Sequence, residues 1–405
     1  MALKYPSILN WQPSTADIKT LYGKKQKYFL SDINQQLLID PSVMQTTTYQ
    51  PLTDHVAAPL PAGQNTIVNL LDDFDRLQPL WDQYVDQHPK GSVFHSSEMV
   101  RAFQHTRGHQ PIAIASLNTA GAVAAILVSV RVQTLPGPMG RLSSRAVFYA
   151  EPLCNDHPDN MNALAQLVAR HDEKMSRSVL FAEVRPLFAA GGERIVLERA
   201  GYTYLDYLNY LNDVTRPIKE MWSKLHKGAQ YSIRQCEKRG LVVREVPAET
   251  AVDQLFPLLK LSYSHSGVPL VDRSLFDGTV LAGGPRGIVK FFAVYEGDEP
   301  VAMDVLLTFK RQVYLWYGGV SRSCEGSPCS LLRWQELKWA HEQGYAVCDS
   351  GGAGWPDIPY GVRDFKRKFG GDLVQFGRYR KVFSPWRLAL AEKVYNLKRT
   401  VFSSK

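Results

Sequence analysis

Apolar and polar positions follow a regular pattern that predicts a mixed α/β protein. Stretches with helical spacing of apolar residues alternate with short apolar runs that are typical of buried strands. Residues 65–214 contain one such series. An amphipathic segment, Ile67–Tyr84, comes first; the predicted helices are Glu98–Thr106 and Met161–Ser176, and the predicted strands are Pro111–Leu117, Ala122–Gln133, Arg145–Ala150 and Ser178–Arg185.

Residues 215–384 show the same order of elements. The predicted helices are Ile218–Arg239, Ala251–Ser266 and Ser330–Gln343, and the predicted strands are Leu241–Val246, Gly287–Glu296, Val301–Phe309, Gln312–Gly318 and Tyr345–Asp349. We interpret the two series as structural repeats, each with a mixed sheet flanked by helices. The predicted fold class is therefore α/β (α+β), with two tandem domains.

The two ends of the chain differ from these repeats. Residues 1–64 carry scattered prolines and little periodicity, which predicts a loosely ordered N-terminal extension with one short helix near 24–38. Residues 385–405 predict an amphipathic C-terminal helix with basic side chains on its polar face. Two roles stay open for that helix: packing on the domain, or peripheral contact with the inner face of a membrane.

Charge and composition narrow the partners and the compartment. The 405 residues carry a net charge of +8, which suits anionic partners such as nucleic acid, sugar nucleotides or anionic lipid headgroups. No run of about 18 apolar residues occurs, so we expect no transmembrane helix and a cytoplasmic protein. The five cysteines have neither disulfide-framework nor zinc spacing, and we expect buried free thiols, no metal and no bound cofactor.

The stretch Tyr360–Gly371 concentrates the candidate chemistry. It follows a predicted strand and the glycine-rich segment Ser350–Gly354, and its pattern predicts a loop, a short helix and a Gly-Gly stop. Phe365 and Phe369 share one helical face, with Lys366 at its edge. A cation held against aromatic surface at the end of a glycine loop could receive an anion or a developing oxyanion. The alternative is a solvated basic helix.

Four further residues are candidates for the site because of their positions on predicted strands. Side chains alternate between the two faces of a strand, so Asp304 faces the cleft if its two neighbours in the chain face the core. In that position it could orient or deprotonate an attacking amine. Asp349 ends a strand where α/β folds place ligands, or it caps the following loop. Trp316 and Tyr317 could line an acceptor groove or belong to an aromatic core.

One segment argues against coenzyme A as the acyl donor. Acetyltransferases of the GNAT type hold pyrophosphate on backbone N–H groups where a strand turns into a helix. The matching segment here, Gly318–Ser330, lacks the Arg/Gln-x-x-Gly-x-Gly/Ala pattern, and Pro328 removes one backbone donor.

Several motifs together resemble the FemAB-type aminoacyltransferases. They are the stretch Tyr360–Gly371, the segments Leu331–Trp334 and Lys338–Tyr345, and Ile233–Gly240, which is similar to the family's Ile-Arg-x-Ala-x-x-x-Gly. The resemblance covers roughly residues 65–383 and implies a tandem GNAT-like fold. It also implies transfer of an aminoacyl group from aminoacyl-tRNA to an amine of a nucleotide-linked or lipid-linked peptidoglycan precursor.

The resemblance also implies residue roles. Phe365 and Lys366 correspond to the pair that lines the channel for the charged tRNA end, and Tyr360 and Arg363 of the same motif are expected to bind substrate. Arg234, with Lys227 as a helper, corresponds to the basic residue that grips the diphosphate of the sugar nucleotide.

The chain departs from the family's pattern in one large feature. The span between Arg239 and Gly287 is too short for the long helical arm that some relatives use as a tRNA support. Two alternatives therefore stay open beside the FemAB-like function. One is a GNAT-fold N-acyltransferase that uses acyl-CoA in exopolysaccharide biosynthesis, and the other is a non-catalytic module that binds glycan or nucleic acid.

Overall fold

The computed structural model describes residues 65–134, 137, 140, 143–264, 269–391 and 393. The predicted N-terminal extension lies outside this part of the chain, as does most of the predicted C-terminal helix, of which residues 385–391 are helical. None of the helices in the described ranges is both long and apolar enough to cross a membrane. All five cysteines lie in these ranges and are buried free thiols, as predicted.

The described residues form strands and helices in the alternating order that the sequence predicts. The strands are β1 (Thr66–Asn69), β2 (His109–Leu117), β3 (Val123–Gln133), β4 (Ser144–Phe148), β5 (Leu153–Cys154), β6 (Phe181–Val184), β7 (Thr203–Leu205), β8 (Leu208–Asp213), β9 (Val242–Glu245), β10 (Val289–Glu296), β11 (Glu299–Phe309), β12 (Gln312–Val320), β13 (Val347–Gly354), β14 (Asp372–Gln375) and β15 (Arg378–Val382). The α-helices are α1 (Phe74–Gln87), α2 (Ser97–Gln104), α3 (Pro158–Met175), α4 (Gly192–Arg199), α5 (Ile218–Lys224), α6 (Lys227–Lys238), α7 (Ala248–Ser264), α8 (Ser274–Gly283), α9 (Pro328–Glu342) and α10 (Gly361–Lys366).

The strands assemble into two mixed sheets. The first has eight strands in the order β1-β2-β3-β4-β6-β15-β7, with β5 paired to β3. The second has seven strands in the order β14-β8-β13-β12-β11-β10-β9. Most neighbours are antiparallel, and β4 with β6 and β12 with β13 are the parallel pairs. The predicted α/β class with two mixed sheets is confirmed.

The two sheets exchange strands, which no predicted boundary anticipates. β8 precedes residue 215 in the chain but lies in the second sheet, between β13 and β14. β15 comes near the end of the described chain but lies in the first sheet, between β6 and β7. Each half of the chain therefore contributes one strand to the other half's sheet, and the chain passes between the sheets twice.

One hydrophobic core joins the two halves. It contains Phe94 and Phe103 from the first half together with Phe276 and Trp316 from the second. The rings of Phe276 and Trp316 lie 6.2 Å apart, and those of Phe94 and Trp316 lie 6.4 Å apart. Separate cores lie on the outer faces, beneath α3 and α4 on the first sheet and beneath α5, α6 and α9 on the second.

Two predicted elements are wrong in detail. The predicted helix 218–239 is broken into α5 and α6 because Leu225 is extended and His226 caps the second helix, its ring accepting a hydrogen bond from the Gly228 amide at 3.1 Å. The predicted loop 350–354 is the second half of β13, which pairs irregularly with β8. This pairing was not predictable because β8 itself was not identified as a strand.

The exchanged strand β15 provides a test of the fold. Tyr379 on β15 is buried in the core of the first sheet, and its hydroxyl has no hydrogen-bond partner among the described residues. Tyr379→Ala should lower the free energy of unfolding by about 3–5 kcal/mol, because it removes a large buried ring. Tyr379→Phe keeps the ring and removes only the hydroxyl, so it should be neutral or stabilising. Denaturant unfolding of both variants would contradict the assignment of β15 to the first sheet if Tyr379→Ala cost less than about 1 kcal/mol.

Candidate active site

A cleft opens in the second sheet where β12 and β13 separate. The two strands pair in parallel only at Gln312↔Val347, Val313↔Cys348 and Tyr314↔Asp349. Beyond that register, residues 315–318 of β12 form one wall of the cleft, and residues 350–352 of β13 form the other. Ligands in open α/β sheets bind at the carboxyl ends of parallel strands, so this separation is a natural site.

Two glycines give β12 and β13 the backbone conformation and the space that the cleft requires. Gly351 has φ +77°, in the left-handed region that favours glycine, and it lies where β13 departs from regular pairing with β8. A Cβ on Gly318 would lie 2.1 Å from the Asp304 Oδ1 atom. Gly318 therefore leaves room for the Asp304 carboxylate beside β12.

Lys366 is the cation that α10 delivers to this cleft. Its side chain lines the cleft, the residue is only 9% exposed, and its Nζ donates a hydrogen bond of 2.5 Å to the Gly352 carbonyl on β13. Phe365 beside it also lines the cleft, and the Phe365 and Phe369 rings lie 4.9 Å apart, as the helical spacing predicted. The next residues, Arg367 and Lys368, are exposed.

Asp349 lies at the point where the strands separate. It is buried, and its Oδ1 accepts a hydrogen bond from the Gly351 amide at 2.7 Å. Burial raises the pKa of Asp349 to about 6, although the Gly351 amide and the charges of Lys366 and Arg378 oppose that rise. Asp349 therefore caps the turn that follows it, one of the two roles suggested from sequence, while contact with a ligand stays a prediction.

Asp304 lies at the base of the cleft in a buried ionic cluster. Its Oδ2 is 3.4 Å from the Arg333 Nη2 atom, and the Arg333 Nε lies 3.3 Å from the Glu336 Oε2 atom. Burial, followed by the Asp304 charge, raises the pKa of Glu336 well above its usual range. Burial also raises the pKa of Asp304, although the charge of Arg333 opposes that rise, so Asp304 is the more readily ionised of the two carboxyl groups.

Aromatic rings form the remaining walls. Trp316 and Tyr317 line the cleft and also belong to the core that joins the two halves. Their ring centroids are 5.0 Å apart, and the Tyr317 ring is 5.0 Å from that of Phe276. The core packing suggested from sequence is confirmed for both residues, whereas an acceptor in the cleft beside them stays a prediction.

The first sheet contributes two arginines that the sequence analysis missed. Arg185 follows β6 and Arg378 begins β15, and both side chains line the cleft opposite β12 and β13. Arg378 stacks on the Tyr207 ring at 4.2 Å, and Arg185 lies over the Tyr149 ring at 5.5 Å. A sequence signal existed, because Glu183-Val-Arg185 places two charged residues on one face of the predicted strand Ser178–Arg185, and Arg378-Tyr-Arg380 has the same alternation.

Four predicted site residues lie away from the cleft. Arg234 and Lys227 are exposed on α6, and Arg234 stacks on Trp222 at 5.4 Å. The Arg363 guanidinium donates to the carbonyls of Trp355, Pro356 and Ile358 and so holds the loop before α10. Tyr360 is half-buried at the start of that helix. Arg363 and Tyr360 thus support the element that carries Lys366, whereas Arg234 and Lys227 remain predictions for a separate surface.

Comparison with known proteins places this cleft in a recognised fold. Residues 223–367 match the family model of the Acetyltransferase (GNAT) domain. This segment contains β12, β13 and Lys366, so the separated strands lie in the part of the chain that is similar to that family. No curated protein matches the sequence.

Solved structures of similar fold cover most of the chain. The crystal structure of FemX has a TM-score of 0.59 at 15% sequence identity, over 78% of this chain and 98% of that chain. The C-terminal domain of a putative lysylphosphatidylglycerol synthetase from Agrobacterium fabrum has a TM-score of 0.51 at 17% identity, over 78% and 95%. L-PGS from Bacillus licheniformis has a TM-score of 0.51 at 12% identity, over 80% and 97%. The predicted FemAB-type fold is confirmed.

The raised pKa of Asp349 makes a testable prediction about stability. Burial raises this pKa from 3.8 to about 6. Between these values the unfolded chain has lost the proton while the native state keeps it, so stability falls as pH rises. Asp349→Asn does not titrate, so from about pH 4 to about pH 8 wild type should lose about 3 kcal/mol relative to the variant.

Denaturant unfolding across this pH range measures the difference. Burial also raises the pKa of Glu151, to about 7, but Glu151 is present in both proteins and cancels from the difference. Parallel stability curves for wild type and Asp349→Asn would show that Asp349 ionises normally in the folded state.

Proposed function

We propose that this protein transfers an aminoacyl group from aminoacyl-tRNA to an amine of a cell-envelope glycan or peptide precursor. The transfer takes place in the cleft between β12 and β13. The buried Lys366, held against the Gly352 carbonyl on one wall of that cleft, is the observation that carries this proposal.

Lys366 supplies what acyl transfer from an ester requires. An amine nitrogen attacks the ester carbonyl carbon, a C–N bond forms, and the carbonyl electron pair moves onto oxygen. A fixed cation in a site largely shielded from water stabilises that oxyanion. Collapse then breaks the bond from carbon to the ribose oxygen, which leaves with a proton. The position of Lys366 on a wall of the cleft, between Phe365 and the β13 backbone, supports this role.

Asp304 is our proposed acceptor for the proton that the attacking amine must lose. It lines the base of the cleft on the same side as residues 315–318. The pKa of Glu336 is raised further above its usual range than that of Asp304, so Asp304 is the carboxyl group of the pair that we assign to accept the proton. Arg333 holds the carboxylate in place from the side of α9.

Two observations support an aminoacyl donor and an envelope acceptor. The fold is shared with FemX and with a protein named as a lysylphosphatidylglycerol synthetase, whose product by its name is an aminoacylated lipid. The cleft itself is strongly cationic, since Lys366, Arg185, Arg333 and Arg378 line it against the single carboxylate of Asp304 among the lining residues. A cationic cleft suits a phosphorylated donor or acceptor.

The GNAT match favours a second candidate, an N-acyltransferase that uses acyl-CoA. The connection between β12 and α9 argues against it. That helix begins at Pro328, which has no N–H group to donate, and the Arg239 guanidinium donates to the Glu325 carbonyl in the preceding loop. Calorimetry with acetyl-CoA separates the two candidates, because micromolar binding competed by desulfo-CoA would favour the acyl-CoA enzyme.

The central prediction concerns Lys366. Lys366→Ala should lower the transfer rate by about 10²–10³, because it removes the cation that stabilises the oxyanion. The measurement is transfer of a radiolabelled amino acid from charged tRNA to nucleotide-linked or lipid-linked envelope precursors, at saturating substrate. The variant should stay folded, since Lys366 lies at the wall of a cleft and its Nζ atom donates to a backbone carbonyl, that of Gly352.

Arg367→Ala and Lys368→Ala are the matched controls. Both residues are equally basic and follow Lys366 directly, but both are exposed. They should keep the catalytic rate and lose affinity only in a salt-dependent way. Near-normal turnover in Lys366→Ala, or equal losses of activity in all three variants, would show that this stretch is only a basic surface and takes no part in the reaction.

A further inference from the structure

On the side of the cleft that the first sheet forms, buried positive charges outnumber buried negative charges. Arg185 and Arg378 line the cleft, the buried Arg145 and Arg380 lie close to this pair, and one buried glutamate, Glu183, lies among the four. The Arg380 Nη2 and Nε atoms lie 2.5 and 3.1 Å from the Glu183 Oε2 atom, and the Arg185 Nε lies 3.1 Å from Oε1. Glu183 is thus already shared by two guanidinium groups.

Two of these arginines lack a hydrogen-bonded carboxylate. The Nε and Nη1 atoms of Arg145 and the Nε atom of Arg378 are buried and have no hydrogen-bond partner within the described residues. Burial, and next the charge of Arg185, lower the pKa of both Arg145 and Arg378. Both pKa values fall because the guanidinium groups lie close together in a site with little water, where their positive charges repel one another.

The carboxylates elsewhere around the cleft do not neutralise this excess of positive charge. Asp349 is the carboxylate whose charge acts on both Lys366 and Arg378. Arg333 and Asp304 pair with each other and cancel. Counting Lys366 with the four arginines gives five further cations, against the two carboxylates Glu183 and Asp349, so three positive charges remain uncompensated. Buried charges without counterions are costly, and a protein keeps them where a ligand supplies the opposite charge.

We propose that Arg185 and Arg378 bind a phosphate or diphosphate group of the substrate, with Arg145 behind them. A doubly charged anion reduces the surplus from three charges to one, whereas a single carboxylate leaves two. The guanidinium fork matches phosphate oxygens in geometry, and stacking on Tyr149 and Tyr207 fixes the two forks in advance.

This subsite rests on the proposed function of the cleft and adds a constraint to it. Arg185, Arg378 and Lys366 all line the same cleft. The phosphate therefore lies close to the carbonyl that Lys366 polarises, and not at a remote end of a long substrate. Arg234 and Lys227, on the exposed face of α6, are not needed for it.

Calorimetric titration with inorganic pyrophosphate, inorganic phosphate and acetate at constant ionic strength tests the subsite. Pyrophosphate and phosphate should bind wild type more tightly than acetate does. Arg378→Met should weaken pyrophosphate binding roughly tenfold to a hundredfold, because it removes a charged hydrogen-bonding group. Arg367→Met, at an exposed arginine whose side chain is 71% accessible, should change the affinity by less than about twofold.

Thermal unfolding without added anion separates binding from structure. Arg378→Met should melt at the same temperature as wild type or higher, since it relieves repulsion between buried cations. If Arg378→Met does not fold, Arg378→Lys replaces it in the titration. Arg378→Lys keeps the positive charge but loses the planar guanidinium group, so it should weaken pyrophosphate binding about threefold to tenfold. Uridine diphosphate and adenosine 5′-monophosphate then distinguish a nucleotide-linked precursor from the terminal nucleotide of an RNA as the source of the phosphate.

The outcomes separate this inference from the proposed function. No pyrophosphate binding to wild type, or equal binding to wild type and to the Arg378 variants, would overturn the subsite. Binding is measured without donor or acceptor, so intact pyrophosphate binding in a protein that fails to transfer aminoacyl groups would overturn only the proposed function.

Discussion

The separation of β12 from β13 after Tyr314 and Asp349 is the constraint on which the site depends. Parallel hydrogen bonding holds the strands together up to that register and ends there. The space that opens receives Lys366 from α10, and the backbone of β13 holds the ammonium group through Gly352. If the strands stayed paired, this part of the sheet would be closed and Lys366 would have no cleft to enter.

The exchange of strands between the sheets gives the cleft its second wall. β15 leaves the second half of the chain and pairs with β6 and β7 in the first sheet. This pairing brings Arg378 beside Arg185, across from the separated strands. The same feature that ties the two halves into one structure therefore also concentrates positive charge on the site.

The sequence predicted the parts of this arrangement that depend on local pattern. Helical spacing and the glycine stop located α10, and the cation it carries lies where an oxyanion or anion can be received. Most strands of the two repeats were found because long apolar runs are strong signals. Arg234 was inferred from family resemblance alone, and the structure leaves it on an exposed helix face away from the cleft.

The parts that were missed depend on contacts between distant segments. Arg185 and Arg378 are far apart in the chain, and only the pairing of β15 with β6 brings them together. β8 is short and contains polar residues such as Asn209 and Asn212, so its pattern does not resemble a central strand. Without β8, the glycine-rich half of β13 has no pairing partner on that side, which is why it was predicted as a loop.

A crystal structure with a stable amide analogue of a 3′-aminoacyl adenosine tests the central claim most directly. We expect the analogue between β12 and β13, with its carbonyl oxygen within hydrogen-bond distance of the Lys366 Nζ atom, about 2.7–3.2 Å. Binding of the analogue on the surface of α6 near Arg234, or anywhere that leaves Lys366 without contact to the carbonyl, would contradict the account.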